Sequence, residues 1–239
     1  MRSGGDLADS FVHRTALHNT VKTLYAQVQA AMQTSTALVQ AGVIISAYEY
    51  ASGQIDAAYI SIAACIRMAQ VLGINVAYNN LADSQEQMRR QAMGHWNLWW
   101  STIILERFIF LESSYADRRT PAALYPNTNI PLPSDDKCDD EYIPTSVTLE
   151  SSITQSSSIL SNFGRQAQAI YMLDRCLCET SQFNNYDLET RLSKLQSFDE
   201  ELQKRLSESM TPVPHEPGLR CDLYISYTKT YYLVQLWYP

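Results

Sequence analysis

Residues 135–139 spell Asp135-Asp136-Lys137-Cys138-Asp139, an Asp-Asp-x-x-Asp spacing. Three carboxylates so placed can hold Mg²⁺ against a diphosphate when they lie on a helix that faces a cavity. Here the run directly follows Pro131-Leu132-Pro133 in an irregular stretch, and no second metal-binding motif of the Asn/Asp, Ser/Thr, Glu type occurs downstream. No metal site is assigned on this basis. Glu106-Arg107 is a second chemically loaded pair, set within the apolar run Ile103 to Leu111. Because an unpaired buried charge is too costly to keep, a partner is expected from Arg119 or Arg118, and Glu106 is expected to pair with Arg119. That bond would tie a proline-rich crossing to the helix that carries Glu106; the competing arrangement is two solvated charges on a helix flank. His95 stands beside Trp96, Trp99 and Trp100, four residues that can line a small-molecule pocket. The competing role of the tryptophans is core packing, and a lone histidine without cysteine or carboxylate at ligand spacing is usually structural.

The cysteines are informative by their spacing. Cys65, Cys138, Cys176, Cys178 and Cys221 form neither an even disulfide framework nor a metal-ligand pattern, so small core hydrophobes are expected at Cys65 and Cys176. A Gly-rich phosphate loop, a Gly-x-Ser-x-Gly elbow and a His-Glu-x-x-His motif are missing. The net charge of -7 sets the chain against phosphate backbones, and its densest basic pairs are Arg89-Arg90 and Arg118-Arg119. Direct DNA binding by this polypeptide is therefore not expected. Met1-Arg2-Ser3-Gly4-Gly5 lacks the apolar core of a secretory signal, which points to a reducing, intracellular setting. Nor does any window supply the roughly 18 apolar residues of a membrane span.

The elements that must position these residues are helical. Eight Gly and nine Pro in 239 residues cluster between long periodic stretches instead of punctuating many short strands. Phe11 to Met32 carries Val21, Leu24, Tyr25, Val28 and Met32 at one-face helical spacing. Ser35 to Tyr50 lines a face with Leu38, Val39, Val43, Ile44, Ala47 and Tyr48, ends at a Ser52-Gly53 turn, and is expected to pack antiparallel to the first helix. Asp56 to Leu72 steps through Ala58, Ile62, Cys65 and Ala69 to a stop at Gly73. A polar loop is expected over Asn75 to Ala82, followed by a Ser84/Gln87 capping box and a central helix from Gln85 to about Leu111. Its tryptophans, Ile103, Ile104 and Phe108 cover a wide sector, so other helices should surround it. Residues 113–158, with Pro121, Pro126, Pro131, Pro133 and Pro144, read as an extended crossing. Helices follow at Ile159 to Thr180, Leu188 to Leu206 and Leu219 to Trp237.

Several linked features over about residues 35–135 resemble the middle homology region, the regulatory domain of fungal zinc-cluster transcription factors. Ala69-Gln70-Val71-Leu72-Gly73-Ile74 matches that family's Ala-rich helix ending in Leu-Gly. Arg89, Arg90, Trp99 and Trp100 match its Arg-Arg and Trp-Trp positions, with a longer gap in which His95-Trp96 stands. Glu106-Arg107 matches its acid-Arg pair, and Ile130-Pro131-Leu132-Pro133 followed by Ser134-Asp135-Asp136 matches its exit. The family's Gly-Arg-Pro turn is written Arg119-Thr120-Pro121 here, without the glycine.

The resemblance implies an all-α, multi-helix regulatory domain with a proline-rich irregular crossing. Residues 1–135 would form its core, 136–158 a Ser/Thr-rich linker, and 159–239 a C-terminal helical part that is cut short. Its expected role is effector- or partner-responsive control of RNA polymerase II transcription in the nucleus, without enzymatic activity. DNA binding would come from a zinc-cluster module, which needs six close cysteines that these residues do not supply, and zinc is expected only there. Expected partners are other regulatory proteins or a small-molecule effector, with a homodimer as a further mode and no membrane. The regulatory motif comprises Arg89, Arg90, Trp99, Trp100, Glu106, Arg107, Arg119 and Pro121. The competing functions are a stand-alone helical interaction protein and an all-α Mg²⁺ enzyme similar to terpenoid synthases, built on Asp135, Asp136 and Asp139.

Overall fold

A computed structural model describes residues 4–31, 33–81, 85–112, 121–125, 130–133, 161–181 and 186–210. The described residues form α1 (Gly4–Ala31), α2 (Thr36–Ala51), α3 (Ile55–Val71), a 3₁₀ segment (Ile74–Asn80), α4 (Glu86–Glu112), α5 (Asn162–Ser181) and α6 (Leu188–Met210). The expected all-α architecture is what the chain adopts. Two compact units divide it: Met1–Asn75 with Ser101–Ala123, and Val76–Trp100 with Leu124–Pro239.

In the first unit, Ser35 caps α2 by accepting the Leu38 amide at 3.3 Å, satisfying a donor that the first turn leaves free. Gly53 at φ 75° and Gly73 at φ 69° take the left-handed conformation at the ends of α2 and α3, as the expected stops require. The Ser46 hydroxyl donates to the Ala58 carbonyl at 2.9 Å and sets α2 antiparallel to α3. Ala58, Ile62, Cys65, Ile66, Met68 and Ala69 are the buried face of α3, and small residues at three of these positions allow close approach.

The docking face of α1 differs from its apolar stripe. His18, Lys22, Tyr25 and Gln29 face the neighbouring helices, whereas Val21, Leu24 and Val28 are exposed and Met32 lies outside the described residues. Lys22 Nζ reaches Glu49 Oε1 at 2.5 Å, His18 Nε2 lies 3.4 Å from the same oxygen, and Gln29 Nε2 meets Met68 Sδ at 3.6 Å. Glu49 is fully buried on α2, and a carboxylate there demands polar partners. That demand turns α1 away from its Leu/Val stripe. On α2 the buried face is Leu38, Val39, Gly42, Ile45, Ser46 and Glu49, while Ile44, Ala47 and Tyr48 face outward, a rotation from the expected face. α1 and α2 are antiparallel as expected.

In the second unit, the stretch read as a loop from Asn75 is instead mostly 3₁₀ helix. Ala77 and Leu81 are buried, and the Tyr78 ring packs 5.0 Å from that of Trp96. Three-residue turns suit anchors spaced this closely. The Ser84 capping position lies outside the described residues. Ser161 caps α5, its Oγ accepting the Gly164 amide at 3.1 Å and donating to the Pro133 carbonyl at 3.3 Å. Ala169, Met172 and Cys176 of α5 pack with Leu195, Phe198 and Leu202 of α6. The Arg175 guanidinium lies over Phe198 at 5.3 Å and pairs with Glu201 at 3.2 Å. The helix expected at Leu219 to Trp237, the linker 136–158 and Ile159 lie outside the described residues, and Leu188 is exposed instead of packed.

Candidate functional site

Glu106 and Arg107 form a buried clasp in the first unit. Neighbours on a helix point about 100° apart and do not normally meet. Both side chains are long enough to bend toward residues 121–123, and Arg107 Nη1 contacts Glu106 Oε2 at 2.5 Å. Glu106 then accepts the Ala122 amide at 2.6 Å and the Ala123 amide at 3.1 Å, while Arg107 Nη2 donates to the Ala123 carbonyl at 2.7 Å. Burial pushes the Glu106 carboxyl above its ordinary range, against the pull of the Arg107 charge and the two amides. The arrangement holds residues 122–123 against α4. The crossing is thus tied to α4 by backbone partners beside Pro121; Arg118 and Arg119, the side chains expected for this task, lie outside the described residues.

The tryptophans belong to the second unit, where Trp96, Trp99 and Trp100 are fully buried. Trp96 Nε1 donates to the Pro131 carbonyl at 3.0 Å. Tyr78, Trp96, Trp100, Tyr125 and Tyr171 follow one another at ring separations of 5.0, 6.0, 5.7 and 5.6 Å, tilted and edge-on contacts that complement ring quadrupoles. The ladder joins α4 to the Pro131 segment and α5, so the Leu-Pro exit has a structural partner in Trp96. His95 is half-buried beside it on α4.

Arg89 and Arg90 lie in the first turns of α4, and both grip Glu86, Arg90 Nε at 2.5 Å. Hydrogen bonding from Arg90 and the charges of both arginines hold the Glu86 carboxyl below its usual range. The acid near the helix N-terminus also suits the helix dipole. Among the described residues no group of three His, Cys, Asp or Glu can hold a metal ion, and Asp135, Asp136 and Asp139 lie outside them. No single described helix is long and apolar enough to cross a membrane. Cys65 and Cys176 are buried with thiols pushed up to about 11 by burial.

Sequence reasoning missed a groove of about 220 Å³ between α1 and α2, lined by Arg14, Leu17, His18, Val21, Ile44, Ile45 and Tyr48. Its signal was present in the spacing of Leu17, Val21, Leu24 and Val28, but that stripe reads as a core face.

An all-α domain that uses its charged motif for packing is thus what the fold and the clasp define. The model of the fungal specific transcription factor domain matches residues 13–205. The chain belongs to this family, and the match extends beyond residues 35–135 on both sides. Comparison with curated proteins and with solved structures gives no match.

Proposed function

We propose that this chain is the partner- or effector-responsive part of a fungal transcription regulator. It acts in the nucleus through helix packing, and a zinc-cluster module outside these residues supplies DNA binding. The observation that carries this reading is the apolar groove between α1 and α2, with Ile44 and Tyr48 facing outward beside Leu17 and Val21. Soluble domains seldom leave contiguous apolar surface open unless something docks there. The clasp and the aromatic ladder support the same reading, since both spend charged and aromatic residues on holding helices in place.

The test tethers the chain to an unrelated DNA-binding module upstream of a reporter in fungal cells. Wild type is expected to change reporter output, and Ile44→Asp, at an exposed position, to abolish the change while helix content by circular dichroism stays the same. A tethered wild type that leaves the reporter unchanged would overturn the regulatory reading.

A further inference from the structure

On α1, positions 17, 21, 24 and 28 alternate steps of four and three, which is the spacing of a coiled-coil seam, with Leu and Val alternating along it. In a lone helix such a seam should be buried. Here Leu17 is 65%, Val21 41%, Leu24 55% and Val28 40% exposed, and Ile44 and Tyr48 of α2 continue the apolar surface at 69% and 38%. The intramolecular contact is already made by the neighbouring stripe of His18, Lys22, Tyr25 and Gln29. The seam is left for another helix.

We infer that two copies of this chain associate through α1, antiparallel about a two-fold axis between Val21 and Leu24. This rests on the docking reading of the groove given above and names its occupant. In that register Leu17 meets Val28 of the second copy and Val21 meets Leu24 of the second copy, so each large side chain faces a smaller one. Charge selects the direction. A parallel pair would stack Arg14 on its own copy, whereas the antiparallel pair sets Arg14 over Ala31 of the second copy, the last residue of a helix that has no basic residue in its final turn. A cation is favoured at that end of the helix dipole. From His13 to Ala31 there is no acid, and the single acid of α2, Glu49, is buried. The chain's negative charge therefore does not oppose contact at this face.

The area is sufficient. Arg14 to Ala31 spans about 27 Å at about 1.5 Å per residue, and with α2 some 10 Å away each copy offers roughly 500 Å², so about 1,000 Å² is covered in all, the lower bound for a specific interface. A reversible dimer is the consequence.

Sedimentation velocity on the full chain, from low to high micromolar concentration, tests it. Wild type is expected to pass from monomer to dimer. Val21→Glu and Leu24→Lys, each at an exposed position, should each weaken the dimer about tenfold or more. The double variant Val21→Glu with Leu24→Lys should dimerise again, because the antiparallel register sets each introduced carboxylate against an introduced ammonium. A parallel register would oppose like charges and leave the double variant monomeric, which would overturn the proposed geometry. A wild type that stays monomeric throughout overturns self-association itself. If Ile44→Asp then still silences the tethered reporter, the docking reading stands with another protein as partner.

Discussion

Glu106 and Ala123 are seventeen positions apart, yet the carboxylate of the first accepts the amide of the second at 3.1 Å. Arg107 takes the carbonyl of the same alanine. One adjacent charged pair thereby satisfies both backbone groups of Ala123, which is fully buried and would otherwise leave them without partners.

Glu106→Gln keeps the shape and removes the charge. It leaves the Arg107 guanidinium buried without its counter-ion and turns an amide NH₂ toward one of the two backbone donors, Ala122 or Ala123. The expected cost is about 3–5 kcal/mol, the usual consequence of breaking a buried pair on one side. Adding Arg107→Met should recover part of it, so that the two changes together cost less than their sum by about 1–3 kcal/mol. Urea unfolding monitored by tryptophan fluorescence measures both. A single-variant cost below about 1 kcal/mol would show that the clasp is not held by charge.

Gly42 offers a steric test of how α1 seats on α2 and α3. A methyl built there would lie 2.3 Å from Tyr25 Oη and 2.4 Å from Cys65 Sγ, well inside contact distance. In an exposed helix Gly→Ala adds about 1 kcal/mol of stability; here overpacking reverses the sign, and Gly42→Ala is expected to cost about 1–3 kcal/mol. Tyr25→Phe removes the nearer atom and should relieve part of the loss. A stabilised Gly42→Ala protein would mean that α1 is not seated as described.

What the residues made legible, and what they did not, follows from where each interaction is written. The helix ends at Gly53 and Gly73, the antiparallel pairing of α1 with α2 and the buried tryptophans were readable, because glycine at a left-handed turn and apolar side chains at helical spacing are signals in side-chain type. The docking face of α1 was not. His18 and Lys22 are drawn inward by Glu49, and hydropathy periodicity scores a buried polar partnership as a solvent face. The true partners of the clasp are equally hidden, since Glu106 accepts from the amides of two alanines and backbone groups leave no mark in the residue types. The 3₁₀ turn escaped for a related reason: Tyr78 and the asparagines around it look like a polar loop until the Tyr78 ring finds Trp96.

Asp187 provides the pH test. Its Oδ1 accepts the Thr190 amide at 2.7 Å and its Oδ2 the Thr190 hydroxyl at 3.1 Å, and these bonds, the amide first, hold the carboxyl below its usual range. A carboxylate depressed in the folded state contributes stability that is present above its unfolded pKa, near 3.9, and is lost as pH falls through the folded value. Asn caps a helix about as well as Asp and does not titrate. Asp187→Asn should therefore melt close to wild type at neutral pH and lose less of its melting temperature on acidification below about pH 4. Glu106 cannot imitate this behaviour, because its carboxyl is raised and its contribution is retained in acid and lost as pH rises. Thermal melts by circular dichroism at a series of pH values decide the matter, and parallel curves for the two proteins would show that the charge of Asp187 adds nothing to the stability of α6.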